Sequence, residues 1–386
     1  MNKVRLGILG MGNIGKFHAD YLLADKIPRC ELAAVCSTSP DKLDAFKAKG
    51  IAIFDDAHKL IRSGTIDAVL VATPHPQHPA QGIAALEAGL HLMVEKPIAS
   101  HKADAERLIA AAARHPKQVF GAMFQLRTEP RYAKIRKLIQ SGELGAIVRV
   151  NWIITDWFRT EAYYASGGWR ATWKGEGGGV LLNQCLHQID TLQWLAGMPA
   201  RVRGFCQLGR YHDIEVEDNV TIYLEWSGGA TGVFVSSTGE APGTNRFELA
   251  GTRGRVVLEN NKLTFTRNDA DMIEFSRAAK TGFARPDVWN ADIPIDNADN
   301  PHGILLQNFT EAILDGNQLL VPGAEGIHSV ELANAMLYSS LIGQTVTLPM
   351  DGAAWEKKLN ELIAGSKIQK KVVAISAEDF TKSFNR

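Results

Sequence analysis

The chain has 386 residues, 45% hydrophobic and 22% charged, the mix of an ordinary globular protein long enough for two domains. Lys plus Arg and Asp plus Glu both number 42, so the formal net charge is zero, which argues against a nucleic-acid or membrane-surface partner. No apolar run approaches the ~18 residues of a membrane span, and the first strand runs straight into a glycine motif instead of a cleavage site, so a soluble, cytoplasmic protein is expected.

Residues 4–9 are apolar enough for a buried strand. Gly10-Met11-Gly12-Asn13-Ile14-Gly15 follows, with a helix predicted over 13–24 and a second strand over 31–36. GxGxxG alone is a weak signal. Between a strand and a helix it is the dinucleotide fingerprint. Gly10 would make the tight turn, Gly12 would admit a pyrophosphate to the backbone, and Gly15 would let helix and strand pack. The helix N-terminus offers free N–H donors to the phosphates. Alternation continues with helices over 39–49, 57–63, 80–88 and 102–113 and strands over 51–54, 68–72, 91–94 and 118–122. That pattern predicts a parallel sheet with helices on both faces, and ligands bound beyond the carboxyl ends of its strands. Those ends carry Ser37 and Thr38, Thr73-Pro74-His75, Glu95-Lys96, and a segment with Gln125 and Arg127. No acid ends the second strand to hold an adenosine ribose. Ser37, Thr38 and Lys42 one turn on would take a 2′-phosphate, so NADP is favoured over NAD. The four cysteines form no CxxC pair and no zinc-spaced Cys/His cluster, so buried free thiols and no metal are expected.

Further marks occur in order: Thr73-Pro74 with His78, Glu95-Lys96-Pro97, Gln125-x-Arg127-x-x-Pro130, a glycine-led stretch with His187 and Asp190, Gly251-Thr252-x-Gly254, and Phe309-x-x-Ala312-Ile313. With the fingerprint, they make most of the chain resemble the family named after glucose–fructose oxidoreductase, inositol dehydrogenase and the rhizopine-catabolism oxidoreductases. The resemblance implies an α/β fold: a Rossmann domain with a doubly wound parallel sheet, residues 1–123, and an α+β domain on a large open, mostly antiparallel sheet, residues 124–386. The second would bind substrate and form a homodimer or homotetramer through its sheet. The lysine-bearing tail, 367–386, reads by itself as a solvated arm or as a segment packed on another subunit. The resemblance also implies hydride transfer between a nicotinamide and a ring carbon of a sugar, sugar derivative or cyclic polyol. The family's lysine falls on Lys96 and its histidine on His187. The aspartate usual four residues before that histidine is Asn183 here, the glycine two before it is Cys185, and the asparagine of the segment after the Rossmann sheet is Gln125.

The residues themselves suggest how such chemistry would run. Gly175-Glu176-Gly177-Gly178-Gly179 leads into a predicted helix on which Asn183 and His187, four apart, share a face with Asp190 close by. His187 has the intrinsic pKa of a base for a hydroxyl proton. Lys96 would polarise the substrate oxygen, Glu95 would hold Lys96, and Asn183 would orient the imidazole or hold a hydroxyl. Trp157, Tyr163, Trp169, Arg170 and Trp173, with Arg127, suit a sugar, whose C–H faces stack on aromatic rings while polar edges take the hydroxyls. Strands over 202–207, 219–226, 230–236, 245–250 and 255–259 predict the antiparallel sheet. Residues 277–301 look like a long polar loop, and helices over 304–314 and 323–343 follow. Three functions fit: a dehydrogenase or reductase of sugars or cyclic polyols, a glycoside-cleaving enzyme with bound nucleotide and a transient keto-sugar, and a non-catalytic nucleotide sensor. The presence of both Lys96 and His187 favours catalysis.

Overall fold

In the computed structural model, which describes residues 2–296, 300–370, 372 and 373, the apolar runs of the first part become six short strands. They are β1 (Val4–Leu9), β2 (Cys30–Cys36), β3 (Ala52–Phe54), β4 (Ala68–Val71), β5 (His91–Val94) and β6 (Phe120–Ala122). All pair in parallel, in the order β3-β2-β1-β4-β5-β6. This doubly wound order reverses between β1 and β4 and opens a ligand crevice at their carboxyl ends. Every residue of β4 is buried, as a strand covered on both faces requires. The helix expected over 39–49 is broken into a 3-10 turn, Pro40–Lys42, and a short α-helix, Asp44–Lys47. Pro40 lacks an N–H, and Gly50 closes the segment at φ +78°.

The second sheet contains β7 (Ile147–Ile154), β8 (Arg201–Leu208), β9 (Glu217–Glu225), β10 (Thr231–Ser237), β11 (Asn245–Gly251), β12 (Gly254–Glu259), β13 (Lys262–Asn268), β14 (Val288–Ile293) and β15 (Val346–Thr347). Its order is β14-β13-β12-β11-β7-β10-β9-β8-β15, antiparallel except for β7 with β10. Val150, Trp152 and Ile154, and across the sheet Val220, Ile222 and Leu224, alternate inward with the two-residue period of a strand. The helix Gly326–Ile342 packs on β8 and on the helix Leu186–Ala196.

Two expectations need correction. The segment 277–301 is not simply a loop: it holds the end of the helix Met272–Ala278 and the edge strand β14. Five of the six β14 residues are exposed, so no apolar alternation marks it. The start of the expected arm packs on its own chain: Lys370 Nζ donates to the carbonyls of Tyr164 (2.9 Å) and Arg170 (2.5 Å), and the Val373 N–H donates to Ala165. The remainder of that arm lies outside the described residues. No helix among the described residues is long and apolar enough to cross a membrane.

A buried ion pair ties the segment leaving the first sheet to the helix Leu186–Ala196. Arg127, expected at the substrate, instead donates from Nε and Nη2 to the two carboxylate oxygens of Asp190, both at 2.7 Å, and from Nη1 to Glu325. All three of its nitrogens are thus engaged away from the cleft. Asp190 is fully buried and also accepts from Gln193 Nε2 at 3.0 Å. Trp173 is likewise withdrawn from the expected substrate site, since its side chain belongs to the hydrophobic core. Arg127→Ala leaves the Asp190 carboxylate buried without its cation and should lower stability by about 3–5 kcal/mol. The check is an earlier urea unfolding midpoint at unchanged m-value.

Candidate active site

A cleft of about 1460 Å³ runs along the carboxyl ends of β1, β2, β4 and β5 and on to the loops of the second sheet. It exceeds the ~300–1,000 Å³ of an ordinary small-molecule pocket, which leaves room for a dinucleotide and a second small ligand. The fingerprint glycines divide by role. Gly10 has φ +95°, and a Cβ on it would lie 2.6 Å from the Ala72 carbonyl oxygen; a Cβ on Gly15 would lie 2.0 Å from the Gly10 carbonyl oxygen. Both are demanded by the chain itself. Gly12 has φ −75° and, among the described residues, nothing within 4 Å of its Cβ position. Only an incoming ligand would use that space. No side chain caps the helix Asn13–Leu23 that starts there, so its first N–H groups can meet phosphate.

Met11, Asn13 and Ile14 line the cleft beside Gly12, while Ser37, Thr38 and Lys42 line its far end with Asp55 and Asp56. Thr73, Pro74 and His75 line the middle. His78 is 1% exposed and has no nitrogen to spare for a nucleotide: Nε2 lies 2.6 Å from the Thr73 carbonyl and Nδ1 2.7 Å from that of Pro97. It braces the two loops against each other.

Lys96, just past β5, donates from Nζ to the backbone carbonyl of Asn183 at 2.7 Å. Burial lowers its pKa, against the opposing pull of Glu95 and Glu176. Glu95 makes no hydrogen bond to the Lys96 ammonium. It accepts from His18 Nε2 at 2.6 Å and from the Lys96 backbone N–H at 3.2 Å. Burial works against its charge, but His18 and the nearby cations outweigh it and hold the carboxyl below its ordinary value. Glu95 therefore clamps the fingerprint helix to the strand end that carries Lys96. His18 escaped the sequence reading, although its place one turn after Gly15, on the sheet side of the helix, is a usable signal.

His187 lies with Nε2 3.2 Å from Gln125 Nε2, and Phe124 packs edge-on to its ring. His187 Nδ1 and Gln125 Oε1 are both buried with no hydrogen-bond partner among the described residues, so each could serve a polar ligand. Burial, then Lys96 and His302, pushes the imidazole pKa well below 6.5. His302, at the start of the helix Pro301–Asp315, also lines the cleft; burial and His18 lower its own pKa to about 4. It sits far along the chain from every other site residue, and no motif flags it.

The helix bearing His187 begins at Leu186, not directly after the glycines. Buried Glu217 takes the N–H groups of Gly179 (2.8 Å) and Leu181 (3.1 Å) on Oε1, and its backbone carbonyl takes that of Val180 (2.9 Å). A Cβ on Gly179 would sit 2.0 Å from that carbonyl oxygen. This glycine thus permits close approach to β9, not to a ligand. Asn183 consequently lies in a turn ahead of the helix, and its side chain is bonded to Glu176, not to His187.

Trp157, Tyr163, Trp169 and Arg170, expected at a substrate, all line the cleft, joined by Arg159. Tyr163 lies between two guanidinium groups, Arg159 at 5.0 Å and Arg170 at 4.7 Å from its ring centre. Elsewhere, Asp104 and Glu356 approach His101, but Arg107 bonds to both carboxylates and already meets their charge.

Residues 4–122 match the model described as an oxidoreductase family with an NAD-binding Rossmann fold, and residues 132–257 match that of the GFO/IDH/MocA C-terminal domain. The chain belongs to the Gfo/Idh/MocA family of NAD-binding oxidoreductases. It is 26% identical to the myo-inositol 2-dehydrogenase of Thermotoga maritima over 273 residues, 68% of this chain and 77% of that one. It is also 26% identical to the levoglucosan dehydrogenase of Pseudarthrobacter phenanthrenivorans, covering 92% of this chain and all of the relative. Among solved structures, the WlbA dehydrogenase of Bordetella pertussis in complex with NADH and UDP-GlcNAcA superposes with a TM-score of 0.76 at 27% identity, over 90% of this chain and all of that one.

The residues present fit a nicotinamide dinucleotide, and Gly12 supplies the sharpest test. Gly12→Ala should leave thermal unfolding unchanged, because its methyl meets no protein atom, yet weaken NADH binding about tenfold or more in a fluorescence titration.

Proposed function

We propose that this oxidoreductase moves a hydride between the nicotinamide and a ring carbon of a sugar, sugar derivative or cyclic polyol. The observation that carries this reading is the meeting of Lys96, His187 and Gln125 in the cleft that also holds the fingerprint. The names of the inositol and levoglucosan dehydrogenases, and the sugar nucleotide bound to WlbA, support a hydroxyl-bearing ring as substrate. Bound nicotinamide would accept the hydride or return it. His187, held neutral by its lowered pKa, takes the hydroxyl proton as general base during oxidation. The Lys96 ammonium holds the same oxygen and stabilises the negative charge that grows on it. Trp157, Tyr163 and Trp169 give the sugar ring apolar faces, with Arg159 and Arg170 at their edges for its polar groups.

Both nucleotides are accepted on this reading. Ser37, Thr38 and Lys42 would take a 2′-phosphate, while Asp55 and Asp56 at the same end of the cleft oppose one. On the same reading residues 1–123 form the nucleotide domain and 124–386 the substrate and association domain. Association would run through the outer face of the second sheet, where Phe205 and Tyr223 are exposed.

Inositols, anhydrosugars and sugar derivatives, screened with NAD and NADP by absorbance of the reduced nucleotide, should yield a turned-over substrate. On it, Lys96→Ala should lose roughly 10²-fold or more in kcat. The base must be neutral to act, and its pKa is depressed. The acid limb of kcat/KM should therefore fall well below pH 6.5. A limb at 6.5 or higher removes His187 as the titrating base.

A further inference from the structure

Glu176 is an ionisable group next to the cleft that the mechanism above does not use. It is 1% exposed, and both of its carboxylate oxygens are occupied. Oε1 accepts from Asn183 Nδ2, and Oε2 accepts from the Ala171 backbone N–H at 2.5 Å. Ala171 holds the left-handed φ of +49° that non-glycine residues rarely adopt. A carboxylate can only accept hydrogen bonds, so the Asn183 nitrogen must face it and the amide oxygen must point elsewhere. Asn183 lines the cleft, and its backbone carbonyl receives the Lys96 ammonium. Residue 183 thus stands between a buried cation and a buried anion.

We propose that Glu176 is a positioning residue for the reaction: it aims the Asn183 amide so that Oδ1, an acceptor, meets a substrate hydroxyl, and it supplies the buried negative charge opposite Lys96. The positioning half rests on the function proposed above; the charge half does not. The groups facing Glu176 come from several elements. Burial raises its pKa above the ordinary carboxyl value, and Arg170, the Ala171 N–H, Lys96 and Lys370 pull the other way and favour the charged form. The Glu217 carboxyl and the Tyr164 hydroxyl feel its charge from the other side.

The arrangement predicts a reciprocal exchange. Glu176→Gln keeps the volume, but a glutamine oxygen can serve only one of the two donors. With that oxygen on Ala171, its NH2 turns to Asn183, and the Asn183 amide must flip to present a donor to the cleft. Adding Asn183→Asp gives that NH2 a carboxylate, which restores both an acceptor in the cleft and a negative charge beside Lys96.

The charge half is read without substrate, on the intact protein, from the pH dependence of Lys96 acetylation by acetic anhydride followed by peptide mass spectrometry. In Glu176→Gln the Lys96 midpoint should fall by about one pH unit or more, and it should return in Glu176→Gln/Asn183→Asp. The positioning half is read on whatever substrate the wild type oxidises. Glu176→Gln should lose about 10–100-fold in kcat/KM, the double variant should regain most of it, and NADH affinity should hold throughout. Asn183→Ser should lose turnover without moving the Lys96 midpoint. An unmoved midpoint in Glu176→Gln, or a double variant no better than Glu176→Gln, overturns the proposal. If the wild type oxidises no sugar or polyol, the functional reading and the positioning half fall together, while the acetylation arm still decides the charge half. Should Glu176→Gln not fold, Glu176→Asp keeps the charge but shortens the reach to Asn183: the Lys96 midpoint should hold while kcat/KM falls, and an unchanged kcat/KM overturns the proposal.

Discussion

The bidentate pair of Arg127 with Asp190 decides where the two halves of the cleft meet. Asp190 is three residues after His187 on one helix, and Arg127 is two residues after Gln125 on the segment leaving the parallel sheet. Locking the first pair therefore brings the second together, with Gln125 and His187 3.2 Å apart. A buried ion pair is a poor source of net stability, because desolvation offsets most of the attraction. Its geometry is another matter. Two parallel hydrogen bonds fix direction as well as distance, and Gln193 and Glu325 complete the coordination. An apolar contact at the same place would hold the helix close without fixing its rotation, and it is the rotation that aims His187.

Around that fixed point the site is set deep in the protein, and burial sets its chemistry. Burial pulls the pKa values of Lys96, His187, His75 and His302 downward together. The cations also depress one another, which keeps the imidazoles in the neutral form that a base requires. Buried carboxylates limit the effect on the lysine. Glu95 lies on its strand, tied to the fingerprint helix by His18, and Glu176 lies behind Asn183. The acids that tune the lysine thus belong to two elements, one in contact with the nucleotide helix and one with the substrate loops. The fingerprint helix, Lys96 and the aromatic loops accordingly share one electrostatic environment.

Much of the fold was legible because its signals are local. A buried strand, a glycine turn and a helix N-terminus fall within fifteen residues, and their order alone implies the parallel sheet and the side on which ligands bind. Lys96 was legible for the same reason, as a polar residue at the end of an apolar strand. The errors have separate causes. Asn183, His187 and Asp190 are spaced as one helix face, but Glu217, some thirty-five residues on, captures the N–H groups that the first turn would have used. Arg127 and Trp173 have the composition of a sugar site, but composition does not say which side of a loop faces the cleft. The β14 edge strand left no mark, since exposure on both faces erases the alternation by which strands are recognised.

The sequence by itself determined the architecture and the presence of a dinucleotide fingerprint, because each follows from short-range periodicity or from a glycine motif set between a strand and a helix. Only the tertiary structure decided which polar groups meet: Arg127 with Asp190, His18 with Glu95, and, within one loop, Asn183 with Glu176. The first two pairings join residues from different elements more than sixty positions apart. Whether a polar side chain ends in the cleft or against a buried counter-charge depends on how the elements pack, and no local pattern records that.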